Sequence, residues 1–215
     1  MKLFNNITKA LFIMAVGLSF EGCSSVKTDS TASAAASAAP AVTDTASPSS
    51  SAASTSNTLI VYFSRTGNTK SAAETISKVT GGTLYEITPA QAYTDEDIDY
   101  NNSSSRTTIE QNDKSVRPQI SGTIENWQQY TTVYIGYPIW WGQEPRIMDT
   151  FAESYDFTGK TVIPFCTSAS SSIGSSDTDL KSLASNKGTW TAGKRLTAQS
   201  SETEIKSWIT ELGIQ

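Results

Sequence analysis

The chain has 215 residues, a formal net charge of −5 and no histidine. Without histidine, neither a Ser-His-Asp nor a Cys-His nucleophile can be assembled, and the commonest zinc and copper ligand is missing. No catalytic side chain and no metal site are expected, so demanding chemistry would have to come from a cofactor. An acidic chain without a basic run also argues against nucleic acid as a partner.

The first 23 residues read as a targeting segment. Lys2 and Lys9 precede the apolar run Ala10–Phe20, which is too short for a bilayer span of about 20 residues but suits the core of a signal peptide. Gly22-Cys23 follows at once. A Gly-Cys pair after such a run resembles the lipid-attachment site of bacterial lipoproteins. That resemblance implies lipidation at Cys23 and a membrane anchor outside the cytoplasm; an ordinary secretory signal is the alternative. Residues 24–56 hold only Ser, Ala, Thr, Pro and Val besides Lys27, Asp29 and Asp44. Such a segment buries too little apolar surface to offset chain entropy. It is expected to be a disordered linker with an r.m.s. span of roughly 30 Å and an extended reach of about 110 Å. Residues 57–215 remain for one domain.

Thr58–Phe63 is an apolar, β-branched run that reads as a buried strand. Asn68–Val79 repeats Ala72, Ala73, Ile76 and Val79 at helical spacing, with Asn68 or Thr69 as cap and Gly81-Gly82 as stop. Thr83–Ile87 alternates like a strand, and Pro89 ends it. Residues 90–122 form a long polar excursion with an acidic cluster (Asp95, Glu96, Asp97, Asp99) and a short helix near 107–113. A second short helix is expected over 122–130, carrying Ile124 and Trp127. Thr131–Gly136 is a further buried strand. Glu144-Pro145 opens a helix with Ile147, Met148 and Phe151 inward. Lys160–Cys166 is the next strand, in which Cys166 reads as a small buried residue. A helix at 177–185 and a short last strand near Thr189–Leu196 follow. The last helix starts at the capping box Ser201–Glu204 and is striped by Ile205, Trp208, Ile209 and Leu212.

Strands alternating with helices imply right-handed βαβ units and a parallel sheet covered on both faces. In such folds ligands bind beyond the carboxyl ends of the strands, where three unusual loops lie. The first, Ser64-Arg65-Thr66-Gly67-Asn68-Thr69, joins hydroxyls and an amide to a helix N-terminus, which favours an anion such as phosphate. It fits neither the nucleoside-triphosphate loop nor the G-x-G-x-x-G fingerprint. The second, Tyr137-Pro138-Ile139-Trp140-Trp141-Gly142, crowds aromatic surface at a strand end. The third, residues 167–176, is small and polar. A phosphate cradle, an aromatic wall and a polar loop on one sheet edge suit a flat ring with a phosphate tail, as in flavin mononucleotide (FMN).

These loops resemble those of the flavodoxin-like family. The first loop carries its [ST]-x-T-G-x-T phosphate signature at Ser64, Thr66, Gly67 and Thr69, and the second carries Tyr-Pro-Ile-Trp-Trp-Gly. The resemblance implies a three-layer α/β/α sandwich with a five-stranded parallel sheet in the order 2-1-3-4-5. It implies non-covalent FMN, with its phosphate held by Ser64, Arg65, Thr66, Gly67, Asn68 and Thr69. Pro138, Ile139, Trp140, Trp141 and Gly142 would contact the isoalloxazine, Trp140 or Trp141 stacking on it. Thr167, Ser168 and Gly174 would border the pyrimidine edge and ribityl chain. The third loop departs from its relatives by carrying Ala169, Ser170 and Ser172 where they have more glycine. The expected function is membrane-tethered electron transfer to a redox partner protein or small acceptor. The alternatives are an FMN-dependent NAD(P)H oxidoreductase acting on quinones or other small acceptors, and a cofactor-free binding module on the same fold.

Overall fold

Residues 57–214 are described by a computed structural model. The leader, Cys23 and the 24–56 linker lie outside the described residues, as does Gln215. Strand β1 (Thr58–Tyr62) leads into helix α1 (Asn68–Thr80) and strand β2 (Thr83–Glu86). The excursion follows, with β3 (Thr88–Pro89), α2 (Arg106–Asn112) and β4 (Ile120–Ser121). The main sheet resumes with β5 (Thr132–Pro138), α3 (Arg146–Ser154), β6 (Thr161–Thr167) and α4 (Ser176–Leu183). The short strands β7 (Thr189–Trp190) and β8 (Lys194–Leu196) precede α5 (Glu202–Glu211).

The sheet runs β2-β1-β5-β6-β7, with β8 also on β6, and all its pairs are parallel. Six strands therefore fill five positions, and the expected 2-1-3-4-5 order holds. The fifth position is split because Gly193 N–H donates to the Asp177 carboxylate at 2.9 Å instead of to the ladder. A Cβ at Gly193 would lie 2.3 Å from Ile173 Cδ1, so a larger residue there would make the Ile173 side chain shift. The excursion is pinched at its base by the antiparallel β3–β4 pair.

Alternation along the strands builds two cores. Leu59, Val61, Val133, Ile135, Val162 and Cys166 face Ile147, Met148 and Phe151 of α3 and Leu180 of α4. Ile60, Tyr62, Tyr134, Ile163 and Phe165 face Ala73 and Ile76 of α1 and Ile205 and Trp208 of α5. Each fully buried aliphatic or Phe side chain contributes about 1.5–3 kcal/mol through loss of water contact.

One local expectation changes, and one buried cation joins the core. Only Trp127–Gln129 forms a helical turn in the 122–130 segment, because Gly122 (φ 80°) and Asn126 (φ 53°) bend the backbone out of the helical region. Lys160, at the start of the β6 run, is only 4 % exposed. Its ammonium donates to the Trp127 and Tyr130 carbonyls and lies 4.7 Å from the Trp127 ring centroid.

Gly136 gives a sharp test of the β5–β6 packing. A Cβ there would sit 2.1 Å from Phe165 Cζ, and Phe165 is fully buried. Gly136→Ala should cost about 1–3 kcal/mol as overpacking. The check is a lower urea midpoint with an unchanged slope.

Candidate functional site

The first loop is a turn built from its own side chains. Ser64 Oγ accepts from Gly67 N–H at 3.2 Å, and Asn68 Nδ2 donates to Thr66 Oγ1 at 3.3 Å. Gly67 has φ 87°, a left-handed conformation that favours glycine. It also occupies the cap position of α1, where no side chain makes a capping bond. Asn68 and Thr69, read from sequence as caps, stand inside the first turn. The first-turn amides are then free of side-chain caps, which suits an anion.

Thr69 points inward. It is 1 % exposed, and its hydroxyl shares a 2.7 Å hydrogen bond with Thr167 Oγ1 at the end of β6. Arg65 turns away from the loop: Nε donates to the Tyr93 carbonyl at 2.6 Å, and Nη2 pairs with Asp95 of the excursion.

The second loop is a two-residue hairpin. Trp140 N–H donates to the Gln143 carbonyl at 2.9 Å, and Gln143 N–H returns to Trp140 at 3.0 Å. Both central residues have positive φ, 48° at Trp141 and 80° at Gly142, as a type I′ turn requires. This turn separates the two tryptophans. Trp140 is 6 % exposed and packs edge-on against Phe63 and Tyr93, with centroids at 5.4 and 5.2 Å. Trp141 stays at the surface, where Tyr100 stacks on it at 4.2 Å and 27°. A Cβ at Gly142 would meet nothing within 4 Å, so the turn is open on that side.

A buried arginine holds this turn from behind. Arg146, 3 % exposed, donates from Nη2 to Gln143 Oε1 at 2.8 Å and to the Gln111 carbonyl at 3.1 Å. Its Nε reaches the Glu110 carbonyl at 3.3 Å, and Gln111 Nε2 returns a bond to the Glu144 carbonyl at 2.9 Å.

The third loop is pinned at both ends. Tyr137 donates to Ser176 Oγ at 2.9 Å, and Ser176 donates to the Ile173 carbonyl at 2.7 Å. Burial holds the Tyr137 phenol well above its ordinary pKa, so this donor stays protonated. Arg195 donates to the Ser168 carbonyl at 3.3 Å and to the Ala169 carbonyl at 2.6 Å. Gly174 (φ 63°) approaches the Gly142 carbonyl closely enough that a Cβ would touch it at 3.4 Å. Beneath the loop, burial pushes the Cys166 thiol up to about 12, which keeps it unreactive as expected from sequence.

Together the loops enclose a cavity of about 500 Å³. Of the residues named from sequence, Thr66, Asn68, Pro138, Ile139, Trp140, Trp141, Gly142, Thr167 and Ser168 line it. Ser64, Arg65, Gly67, Thr69 and Gly174 do not line it. Sequence reasoning missed Ile98, Tyr100, Ala198 and Gln199 in the lining, and from the third loop it named none of Ala169, Ser170 and Ser171 as a site residue. Tyr100 is an isolated aromatic in an acidic, polar stretch, and at 56 % exposure it has no core role; that isolation was the available signal. Ala198 and Gln199 carry none.

Residues 57–212 match the family model described as flavodoxin. A crystal structure from Bacteroides eggerthii DSM 20697, of a protein assigned as a flavoprotein, is 45% identical over 74% of this chain and 98% of its own, with a TM-score of 0.69. A protein similarly assigned, from Bacteroides uniformis ATCC 8492, is 43% identical over 71% of this chain and 97% of its own, with a TM-score of 0.68. A flavoprotein from Lactobacillus acidophilus NCFM, solved in complex with FMN, shares the fold at 22% identity and a TM-score of 0.54, over 71% of this chain and 97% of its own. No curated protein matches. With its parallel sheet order, the match of residues 57–212 and a 45% identical relative, the chain belongs to the flavodoxin family.

Proposed function

We propose that the domain binds FMN without a covalent link and serves as an electron-transfer flavoprotein, tethered through Cys23 to a membrane outside the cytoplasm. The observation that carries this reading is the surface of Trp141. A flat ring, that of Tyr100, already covers it at 4.2 Å, so the face accepts a planar π system. The cavity lies in the size range of cofactor sites. It joins this aromatic wall to the hydroxyl-rich start of α1, as a ring with a phosphate tail demands. The flavoprotein from Lactobacillus acidophilus NCFM, solved in complex with FMN, supports the choice of flavin.

Bound FMN would supply one- and two-electron redox chemistry. The chain's own residues bind and orient. Thr66, Asn68 and the first-turn amides of α1 would hold the phosphate. Trp141 would take one face of the ring in the place where Tyr100 now stacks, and Thr167 and Ser168 would border its polar edge. The apolar wall of Pro138, Ile139 and Trp140 would keep water from the ring. The redox partner, a protein or a small acceptor, would approach at the cavity mouth.

The first test is direct. Titrating the purified protein with FMN should quench the flavin fluorescence and give a yellow complex. A protein that stays colourless and quenches nothing at micromolar FMN would be a cofactor-free module. If the loaded protein oxidises NADH or NADPH in steady state, electron carriage gives way to an oxidoreductase.

The two tryptophans should separate in a second test. Trp141→Ala removes a stacking face worth about 0.5–1.5 kcal/mol, so the Kd for FMN should rise about threefold to tenfold with little loss of stability. Trp140→Ala empties part of the core and should cost about 3–5 kcal/mol of folding free energy. Isothermal titration and urea unfolding read the two effects.

The Thr69–Thr167 bond predicts a third result. Thr69→Val leaves the buried Thr167 hydroxyl without its partner, at a cost of about 1–3 kcal/mol. Thr69→Ser should restore most of it in the same unfolding assay.

A further inference from the structure

Behind the second loop lies a separate cavity of about 190 Å³, lined by Glu144, Arg146, Asp149, Asp179, Lys114 and Arg117, with Ser182 and Leu183. Glu144, Arg146 and Asp149 are each no more than 3 % exposed. Ionised, they would bury two negative charges against one positive charge. A charge left without a partner in such surroundings is strongly unfavourable. Two oxygens give the imbalance a location: Glu144 Oε2 and Asp149 Oδ1 are buried and lack a hydrogen-bond partner.

The other oxygens are engaged. Arg146 Nη1 donates to Asp149 Oδ2 at 3.1 Å and stands 3.7 Å from Glu144 Oε1. Arg117 Nη1 adds a second cation 3.7 Å from Asp149 Oδ2 while its other nitrogens hold Glu153. Asp149 therefore has two arginines and Glu144 has one, at longer range. Asp179, from α4, adds negative charge on the Glu144 side. Lys114 is exposed at the cavity rim.

We propose that Glu144 and Asp149 share one proton between these two oxygens, and that this proton, through Arg146, sets how firmly the Trp140–Gln143 turn is held. With the proton in place, Glu144 donates to Asp149 and both orphaned oxygens are satisfied. The buried group is then electrically balanced, and Arg146 is free to keep Gln143 Oε1 at 2.8 Å. Without the proton, the new charge on Glu144 competes for the same guanidinium and draws it away from Gln143. The turn that carries Trp141 loosens. Arg146, Glu144 and Asp149 are positioning residues here, since none of them lines the larger cavity.

The titration behaves accordingly. Burial, with Asp149 and Asp179 adding repulsion, raises the Glu144 carboxyl to about 8, and burial raises Asp149 as well. The proton belongs to the pair. The folded chain keeps it between the ordinary carboxylate range and about pH 8, where the unfolded chain has lost it. Stability therefore falls as pH rises through that window, by up to about tenfold in the folding constant per pH unit, and levels off above it.

The flavin part of this inference rests on the proposed function, and the experiment keeps the two apart. Backbone amide shifts of Gly142 and Gln143 are followed by NMR in the ligand-free protein from pH 6 to 9, beside FMN titrations over the same range. A one-proton transition near pH 8 in those amides is expected, with the FMN Kd rising about threefold or more above it by linkage. In Glu144→Gln, which keeps a donor toward Asp149 without a titrating proton, both responses should vanish and unfolding free energy should flatten between pH 5 and 8. Asp149→Asn serves as a second variant if the first does not fold: it leaves Glu144 titrating beside a neutral group that can donate to it, so the transition should move to lower pH. Amides that do not titrate, or that titrate unchanged in both variants, overturn the proposal, as does an FMN affinity that ignores their transition. If the transition is present, and is lost in Glu144→Gln or displaced in Asp149→Asn, but FMN binds at no pH, the proton-linked turn stands and the flavin reading falls.

Discussion

Seven residues of β5 pair in register with seven of β6, from Thr132↔Thr161 to Pro138↔Thr167. One further bond, from Ile139 N–H to the Thr167 carbonyl at 3.2 Å, extends the ladder into the second loop. This central pairing decides where everything else goes. It brings the second and third loops out at one level on the sheet edge. It also puts Thr167 where its hydroxyl can meet Thr69 at the start of α1. Three chain segments far apart in sequence are thereby fixed around one cavity. The close fit of Phe165 over Gly136 shows how little slack the ladder allows.

At the top of that ladder the chain must turn, and it does so with a tryptophan at positive φ. A bulky residue in that region is costly and persists only where its surroundings impose it. Here two things impose it. Trp140 is locked between Phe63 and Tyr93, and Gln143 is held by Arg146. With both flanks fixed, Trp141 has nowhere to go except outward, onto the cavity. The aromatic face is thus a consequence of core packing on one side and a buried charge cluster on the other.

Strand and helix order were legible because buried parallel strands and amphipathic helices write themselves as runs and periods, as in Thr58–Phe63 or Ala72, Ala73 and Ile76. The hydroxyl-rich first loop and the tryptophan pair were legible as chemistry. What stayed hidden depended on long-range geometry. Nothing in Trp140-Trp141 says which ring is core; the turn's handedness decides. A Tyr100 in a polar stretch shows no partner until the excursion folds back on Trp141. Nothing in the Lys160–Cys166 run shows that two carbonyls and a ring receive the Lys160 ammonium in the interior. The split fifth strand follows from one carboxylate, Asp177, reaching Gly193 across the sheet.

The excursion between β2 and β5 has almost no apolar periodicity, which is why its structure could not be read. Arginines hold it instead. Arg65 reaches the Tyr93 carbonyl and Asp95. Arg106 pairs with Glu110, bonds the Gln91 carbonyl and lies 3.9 Å over the Tyr93 ring. Arg117 grips Glu153, and Arg146 reaches the Glu110 and Gln111 carbonyls. Guanidinium suits this task, since it stays charged and offers a fork of donors to carbonyls and carboxylates. The two halves of the molecule then answer to different conditions. The sheet and its helices rest on apolar burial, which pH leaves nearly untouched. The wall carrying Tyr100 and the turn carrying Trp141 rest on charges, and the proton proposed for the Glu144–Asp149 pair would leave only as the solution turns alkaline, near pH 8.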